Sequence, residues 1–201
     1  MKDRTIVEFT NELSSAKPVP GGGGASAAIG AFGTALGLMV TNITIENKKY
    51  AEYREEMFEI REAMDAIRDE LMDLIEKDAE AFEPVSRAYK LPINEREKVM
   101  ESALYEASCT PLQMMETICK TFPYFEILGE KGSKMAITDV GVGVLFALSA
   151  LEGASLNVFI NTKLMKNREV AERLNKRAEE LIEQGRLAKE SIYNGVLSKI
   201  K

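Results

Sequence analysis

Pro18-Val19-Pro20-Gly21-Gly22-Gly23-Gly24-Ala25-Ser26-Ala27-Ala28-Ile29-Gly30-Ala31-Phe32-Gly33-Thr34-Ala35-Leu36-Gly37-Leu38-Met39-Val40 opens a stretch, reaching Ile45, in which no residue is charged. Four successive glycines remove every Cβ from a short length of backbone, which permits φ > 0 and lets a ligand or a second backbone approach closely. Small residues at Gly23, Ala27, Ala31 and Ala35 then recur every fourth position, so on a helix they share one face. The stretch is long enough for a bilayer, which takes about 20 apolar residues. Gly, Ser, Thr and Asn dilute it, however, and only Lys17 stands before it as a positive flank. The charged segment Asp3 to Glu12 ahead of it is unlike a secretory signal. The expectation is a helix buried on all sides, in a core or a subunit interface, and no membrane.

Around this stretch helical periodicity is nearly continuous and strand signals are nearly absent. Thr5-Ile6-Val7-Glu8 reads as a capping box opening a short helix to about Ser14. Tyr53, Met57, Ile60, Met64, Ile67, Leu71 and Leu74 follow one another by alternating steps of four and three, a heptad seam flanked by charge. The next seam position is Asp78, and the steps then continue to Ala81 and Val85. Leu91-Pro92 ends this helix, because the residue before proline disfavours the α conformation. Asn94 begins another that runs to about Ser108. Thr110-Pro111 restarts or kinks it, Pro123 and Gly129 close it, and Gly132-Ser133-Lys134 forms a loop. Met135 to Ile160 is a second largely apolar segment, and Glu169 to Ile200 a last amphipathic helix. These features predict an all-α, single-domain helical bundle over residues 1–201, with two buried Gly/Ala-rich helices wrapped by amphipathic ones and a homodimeric state.

The chain has 201 residues, 45% of them hydrophobic, which suffices for a sizeable core. A net charge of −6 argues against nucleic acid, whose binding draws on Lys and Arg neutralising phosphates. Two cysteines ten residues apart, Cys109 and Cys119, suit neither a zinc site nor a disulfide framework, and point to a reducing cytoplasm. There is no histidine, which removes Ser-His-Asp and Cys-His catalysis and His-ligated metals. Any chemistry falls to carboxylates, Lys, Tyr or backbone dipoles.

Asp78 is the carboxylate that the seam singles out. Burial disfavours its charged form, raises its pKa and prepares it for acid/base work; the structural alternative is a buried ion pair with Lys or Arg of a neighbouring helix. Asp139, at the edge of the second apolar segment, reads as a helix N-cap or a site residue. Asn157 and Asn161 lie four apart and face one way, able to bind a ligand's nitrogens or to join helices. The run Gly21, Gly22, Gly23, Gly24 can cradle an anion at a helix N-terminus or serve close packing alone. It lacks the Gly-Lys-Ser/Thr end of a P-loop. Lys48, Lys49 and Tyr50 offer charge and an aromatic face just past that helix.

At these residues the sequence resembles the cyclodeaminase domain of formiminotransferase-cyclodeaminase and its stand-alone bacterial relatives, some called methenyltetrahydrofolate cyclohydrolases. The motifs are Pro20-Gly21-Gly22-Gly23, Asp78-Ala79-Glu80-Ala81-Phe82, Leu91-Pro92 with Asn94, Pro111-Leu112, Thr138-Asp139 and Asn157-Val158-Phe159-Ile160-Asn161. Gly24 stands where the family has serine, with Ser26 close by; Ser133 replaces an asparagine and Thr138 a serine. The resemblance implies an all-helical homodimer binding a reduced folate, polyglutamylated or not. It implies Asp78 as the catalytic group and Gly21, Gly22, Gly23, Gly24, Ser26, Lys48, Asp139, Asn157 and Asn161 as substrate-binding, with no metal and no cofactor beyond tetrahydrofolate. The activity expected first is formiminotetrahydrofolate cyclodeaminase, then methenyltetrahydrofolate cyclohydrolase, then a non-catalytic folate-binding or scaffold protein. The folate's glutamate tail is expected on the glycine backbone ahead of Lys48 or Lys49.

Overall fold

The computed structural model describes residues 4–201. Seven α-helices and no strand occur among them: α1 Ile6–Leu13, α2 Gly22–Glu46, α3 Arg54–Ala88, α4 Ile93–Cys119, α5 Phe122–Lys131, α6 Ile137–Leu164 and α7 Arg168–Ile200, with 3₁₀ turns at Lys48–Tyr53 and Lys134–Ala136. The charge-free stretch is α2, and it lies along α3 on one side and α6 on the other. Its glycines make that possible. A Cβ on Gly33 would come 2.9 Å from the Gly143 carbonyl oxygen of α6, and one on Gly30 3.2 Å from Ile118. The pairs Gly33–Gly143, Ser26–Gly153 and Gly22–Asn157 run in opposite order along the two helices, so α2 and α6 are antiparallel. The threonines of α2 carry no polar penalty into this packing, because Thr34, Thr41 and Thr44 each donate their hydroxyl to the carbonyl four residues back.

The seam of α3 forms the other wall of the core. Met57, Met64, Leu71 and Leu74 are fully buried and Ile60 and Ile67 nearly so, each contributing about 1.5–3 kcal/mol of apolar transfer. The Thr5–Glu8 capping box opens α1, which lies on the surface with no buried residue.

Five expectations are corrected. The glycine run contains no positive φ; its absent Cβ atoms serve close approach alone. Helix α4 does not restart at Thr110-Pro111 but passes through Pro111 to Cys119. Its first residue is Ile93, with Pro92 rather than Asn94 at the cap, as suits a proline whose missing N–H costs nothing there. Pro123 opens α5 rather than closing a helix, and Gly132 caps its end. Neither apolar helix is buried on all sides: α2 and α6 each keep an outward face with Phe32, Met39, Val142, Leu145 and Leu156 exposed. Both are also long and apolar enough to cross a membrane by composition and length.

Candidate active site

At the N-terminal end of α2, a cavity of about 170 Å³ is lined by Pro18, Val19, Gly21, Gly22, Gly23, Asp78, Phe82, Ala107, Asn157, Ile160 and Asn161. It is built from the entry to α2, the C-terminal parts of α3 and α6, and the middle of α4. The Val19–Pro20 peptide bond is cis and leads the chain into the first turn of α2.

Asp78 lies on the cavity wall, half-buried. Its Oδ2 accepts the Gly24 N–H at 3.0 Å, one of the unpaired donors that begin every helix. Gly23 packs directly on the carboxylate: a Cβ there would sit 2.5 Å from Cγ and Oδ2. The glycine run therefore brings backbone against a carboxylate of the protein itself. Burial raises the Asp78 pKa above the ordinary aspartate value, and the Gly24 hydrogen bond opposes that rise only in part. Among the described residues no Lys or Arg lines the cavity or contributes to the Asp78 shift, so the ion-pair alternative for this residue finds no partner there.

The two asparagines are oriented by their own donors. Asn161, 8% exposed, donates Nδ2–H to the Ala107 carbonyl at 2.8 Å. That carbonyl is free for it because Pro111, four residues on, has no N–H to complete the α4 ladder. Asn157 donates to the Gly153 carbonyl of its own helix at 3.1 Å. Each amide nitrogen keeps a second N–H, so both side chains still have a donor as well as a carbonyl oxygen. The cavity thus sets one carboxylate acceptor, Asp78, beside two amides that can both donate and accept, and the carboxylate suits a ligand group bearing N–H or positive charge.

The expected site residues divide into groups. Asp78, Gly21, Gly22, Gly23, Asn157 and Asn161 come together in the cavity. Gly24 holds Asp78 from behind. Ser26 does not line the cavity; it donates to the Gly22 carbonyl at 2.8 Å and packs against Gly153. Lys48 and Asp139 lie at the far end of the molecule. Asp139 is in the first turn of α6 but does not cap it, since Ala136 holds the N-cap position, and it is about 27 Å along the helix from Asn157. Lys48, in the turn after α2, is a whole helix length from Gly23. The wall residues Pro18, Val19 and Ala107 were not singled out by the sequence, and Phe82 and Ile160 only within motifs. Their signal was weak: Phe82 and Ile160 stand four and three residues from Asp78 and Asn157, hence on the same helix faces. Among the described residues no three His, Cys, Asp or Glu side chains are grouped to hold a metal ion.

Residues 5–180 match the family model described as formiminotransferase-cyclodeaminase. The chain is 39% identical over 204 residues to a methenyltetrahydrofolate cyclohydrolase of Methylorubrum extorquens, covering 98% of both proteins. It is 28% identical over 190 residues to the formimidoyltransferase-cyclodeaminase of Rattus norvegicus, covering 92% of this chain and 35% of that longer protein. A crystal structure of formiminotetrahydrofolate cyclodeaminase from Thermotoga maritima superposes with a TM-score of 0.92 at 29% identity, covering 100% of this chain and 99% of that one. With one family model spanning most of its length and a relative matching it end to end, the chain belongs to the formiminotransferase-cyclodeaminase family.

Proposed function

We propose that this protein is a folate-dependent enzyme that hydrolyses the methenyl bridge of 5,10-methenyltetrahydrofolate, a methenyltetrahydrofolate cyclohydrolase with Asp78 as its acid/base group. The observation that carries the reading is a carboxylate of raised pKa, held by one backbone N–H in a cavity that it shares with two asparagine amides and, among the described residues, with no Lys or Arg. The methenyl bridge is an amidinium cation delocalised over N5 and N10. A carboxylate lacking a counter-ion attracts it. Water then adds to the bridge carbon, and Asp78 takes the proton that water gives up. As the tetrahedral carbon collapses, the hydroxyl proton passes to solvent, the carbon–N5 bond breaks, and Asp78 returns its proton to N5. One residue serves as base and then as acid, which a raised carboxylate pKa favours near neutrality.

Identity to the Methylorubrum relative over the full length of both chains supports cyclohydrolase ahead of cyclodeaminase, the reverse of the order expected from sequence motifs. The second reading, formiminotetrahydrofolate cyclodeaminase, is favoured by the likeness to the Thermotoga structure. There N10 attacks the formimino carbon on N5 while Asp78 moves the N10 proton to the departing ammonia. Neither reaction is redox, and the reading needs no metal or further cofactor. Both thiols are unpaired, which suits a cytoplasmic enzyme.

The test offers purified protein 5,10-methenyl- and 5-formiminotetrahydrofolate separately, following methenyl absorbance and ammonia, with and without a chelator. Cyclohydrolase predicts loss of methenyl absorbance from the first at a rate well above the spontaneous one. Gain of methenyl absorbance with ammonia from the second establishes the alternative. Folate binding without turnover of either refutes both and leaves a binding protein.

A further inference from the structure

Helix α1 stands off the body of the protein. It contains no buried residue, and Ile6 and Val7 are 65% and 66% exposed. Phe9 is the α1 side chain that packs against the core. Beneath the helix lies an apolar cavity of about 230 Å³, with Ile6, Phe9 and Leu13 above it and Ala28, Ile29 and Met72 of α2 and α3 below. Side chains around such a gap forfeit contacts that a packed core would give them. Among the described residues, the polar contacts of residues 4–17 also stay within that segment. Thr5 pairs with Glu8, Thr10 with Ile6 and Val7, Ser14 with Asn11, Lys17 with Ser15, and Glu12 with Arg4 and Lys17. A segment joined to the body by so little apolar contact, with polar contacts that survive its displacement, lies at the low end of local stability.

The same segment carries part of the site's wall. Residues 14–18 are exposed, and the chain enters the body at Pro20, which is buried. Pro18 and Val19 line the Asp78 cavity and also a groove of about 330 Å³ over α3, and Phe82 lines both as well. A partition of Pro18, Val19 and Phe82 thus stands between two spaces. The inner one, about 170 Å³, falls below the roughly 300–1,000 Å³ of sites that enclose a small-molecule ligand, and the two joined fall within that range. Phe82 is fixed on the long helix α3, whereas Pro18 and Val19 continue from the loosely held α1.

We infer that α1 and the strap of residues 14–19 form a lid that moves as one body about Pro20, and that lifting the strap joins cavity to groove so that a ring of the folate enters along Phe82. This rests on the Asp78 cavity being the folate site. The apolar gap beneath α1 lowers the cost of opening, because little packing is broken when the helix leaves. Its capping box and the Arg4–Glu12–Lys17 contacts travel with it intact.

Two measurements test it. In the free protein, the amide hydrogens of residues 9–13 are expected to exchange together and at least about 10³-fold faster than those of residues 31–41 in α2. Exchange as slow as that of α2 overturns the lid. For gating, Thr10→Cys and Met72→Cys, both on the gap beneath α1, are joined by a short bis-methanethiosulfonate in a Cys109→Ser background. Association of tetrahydrofolate is followed by stopped-flow fluorescence, alongside turnover of 5,10-methenyltetrahydrofolate. The bridge is expected to slow association and lower kcat/KM about tenfold or more, with both restored by reductant. Each single-cysteine variant, capped with a methanethiosulfonate, keeps its rates. Bridged protein that binds and turns over at more than about half the unbridged rate overturns the inference, and so does an equal loss in the capped single variants. Amide exchange needs no folate, so fast exchange of α1 without binding of either folate supports the mobile lid while refuting the assigned reaction.

Discussion

Replacing Asp78 by asparagine separates catalysis from stability in this protein. Asparagine has the same shape, and its Oδ1 keeps the Gly24 N–H bond that Asp78 now accepts at 3.0 Å. What it loses is the ability to take and return a proton, worth about 10²- to 10⁴-fold in rate, or roughly 3–5 kcal/mol of barrier. The stability effect has the opposite sign. Burial raises the folded pKa of Asp78 above its unfolded value, so its contribution to stability is full below the unfolded pKa and is lost as pH rises through the folded pKa. At neutral pH the wild type carries the cost of a desolvated carboxylate, and Asp78→Asn does not. The variant is therefore expected to unfold at higher urea than wild type at pH 8, with the difference shrinking toward zero as pH falls through the acid range.

Asp78→Ala supplies the control. It removes the same proton carrier but leaves the Gly24 N–H without a partner, at a cost of about 1–3 kcal/mol. Urea melts at pH 5 and pH 8, paired with methenyl absorbance assays, give all four quantities. The reasoning is refuted if Asp78→Asn keeps more than about a tenth of wild-type turnover, or if it is destabilised as much as Asp78→Ala at pH 8, which makes the carboxylate a structural anchor.

Further outcomes follow from the same geometry. Gly23→Ala places a Cβ 2.5 Å from the Asp78 Cγ, so the carboxylate must shift by about 1 Å, enough to lower kcat about 10²-fold with the circular dichroism spectrum unchanged. Asn157→Ala removes one cavity amide and only an i−4 side-chain bond; kcat/KM should fall about 3- to 10-fold with the urea midpoint nearly constant. The acid limb of kcat/KM should have its midpoint above the ordinary aspartate range, because Asp78 must be ionised to act as base and its pKa is raised; the same limb should be missing from the residual activity of Asp78→Asn. Pro111→Ala restores the N–H that competes for the Ala107 carbonyl and loosens Asn161. It should raise stability, since proline costs about 3 kcal/mol inside a helix, yet lower kcat/KM a few-fold; unchanged kinetics would show that Asn161 needs no such fixing.

Asp78 was legible in the sequence for the same reason that it is useful. A seam that places Met57, Ile60, Met64, Ile67, Leu71 and Leu74 against the core makes a carboxylate at the next step an exception, and an exception to burial is a group with a shifted proton affinity. The partner of that carboxylate was not legible, because nothing local to Gly24 says which helix it meets. Pro111 shows the limit more sharply. Read locally, a proline in mid-segment breaks a helix, which is why a restart was expected at Thr110-Pro111. In the fold, its missing N–H frees the Ala107 carbonyl, and Asn161 of another helix takes it at 2.8 Å. The local defect is satisfied 50 residues away in sequence, by a side chain that lines the cavity, and the two anomalies explain each other: a proline tolerated inside α4 and an amide tolerated inside α6. The cavity wall around them, Val19, Phe82, Ala107 and Ile160, has no chemical mark in the sequence, since apolar residues at a site and apolar residues in a core obey the same periodicity. What distinguishes Ile160 is exposure on a helix otherwise fit for burial, and that makes the open face of α2 and α6 part of the same question as the site it borders.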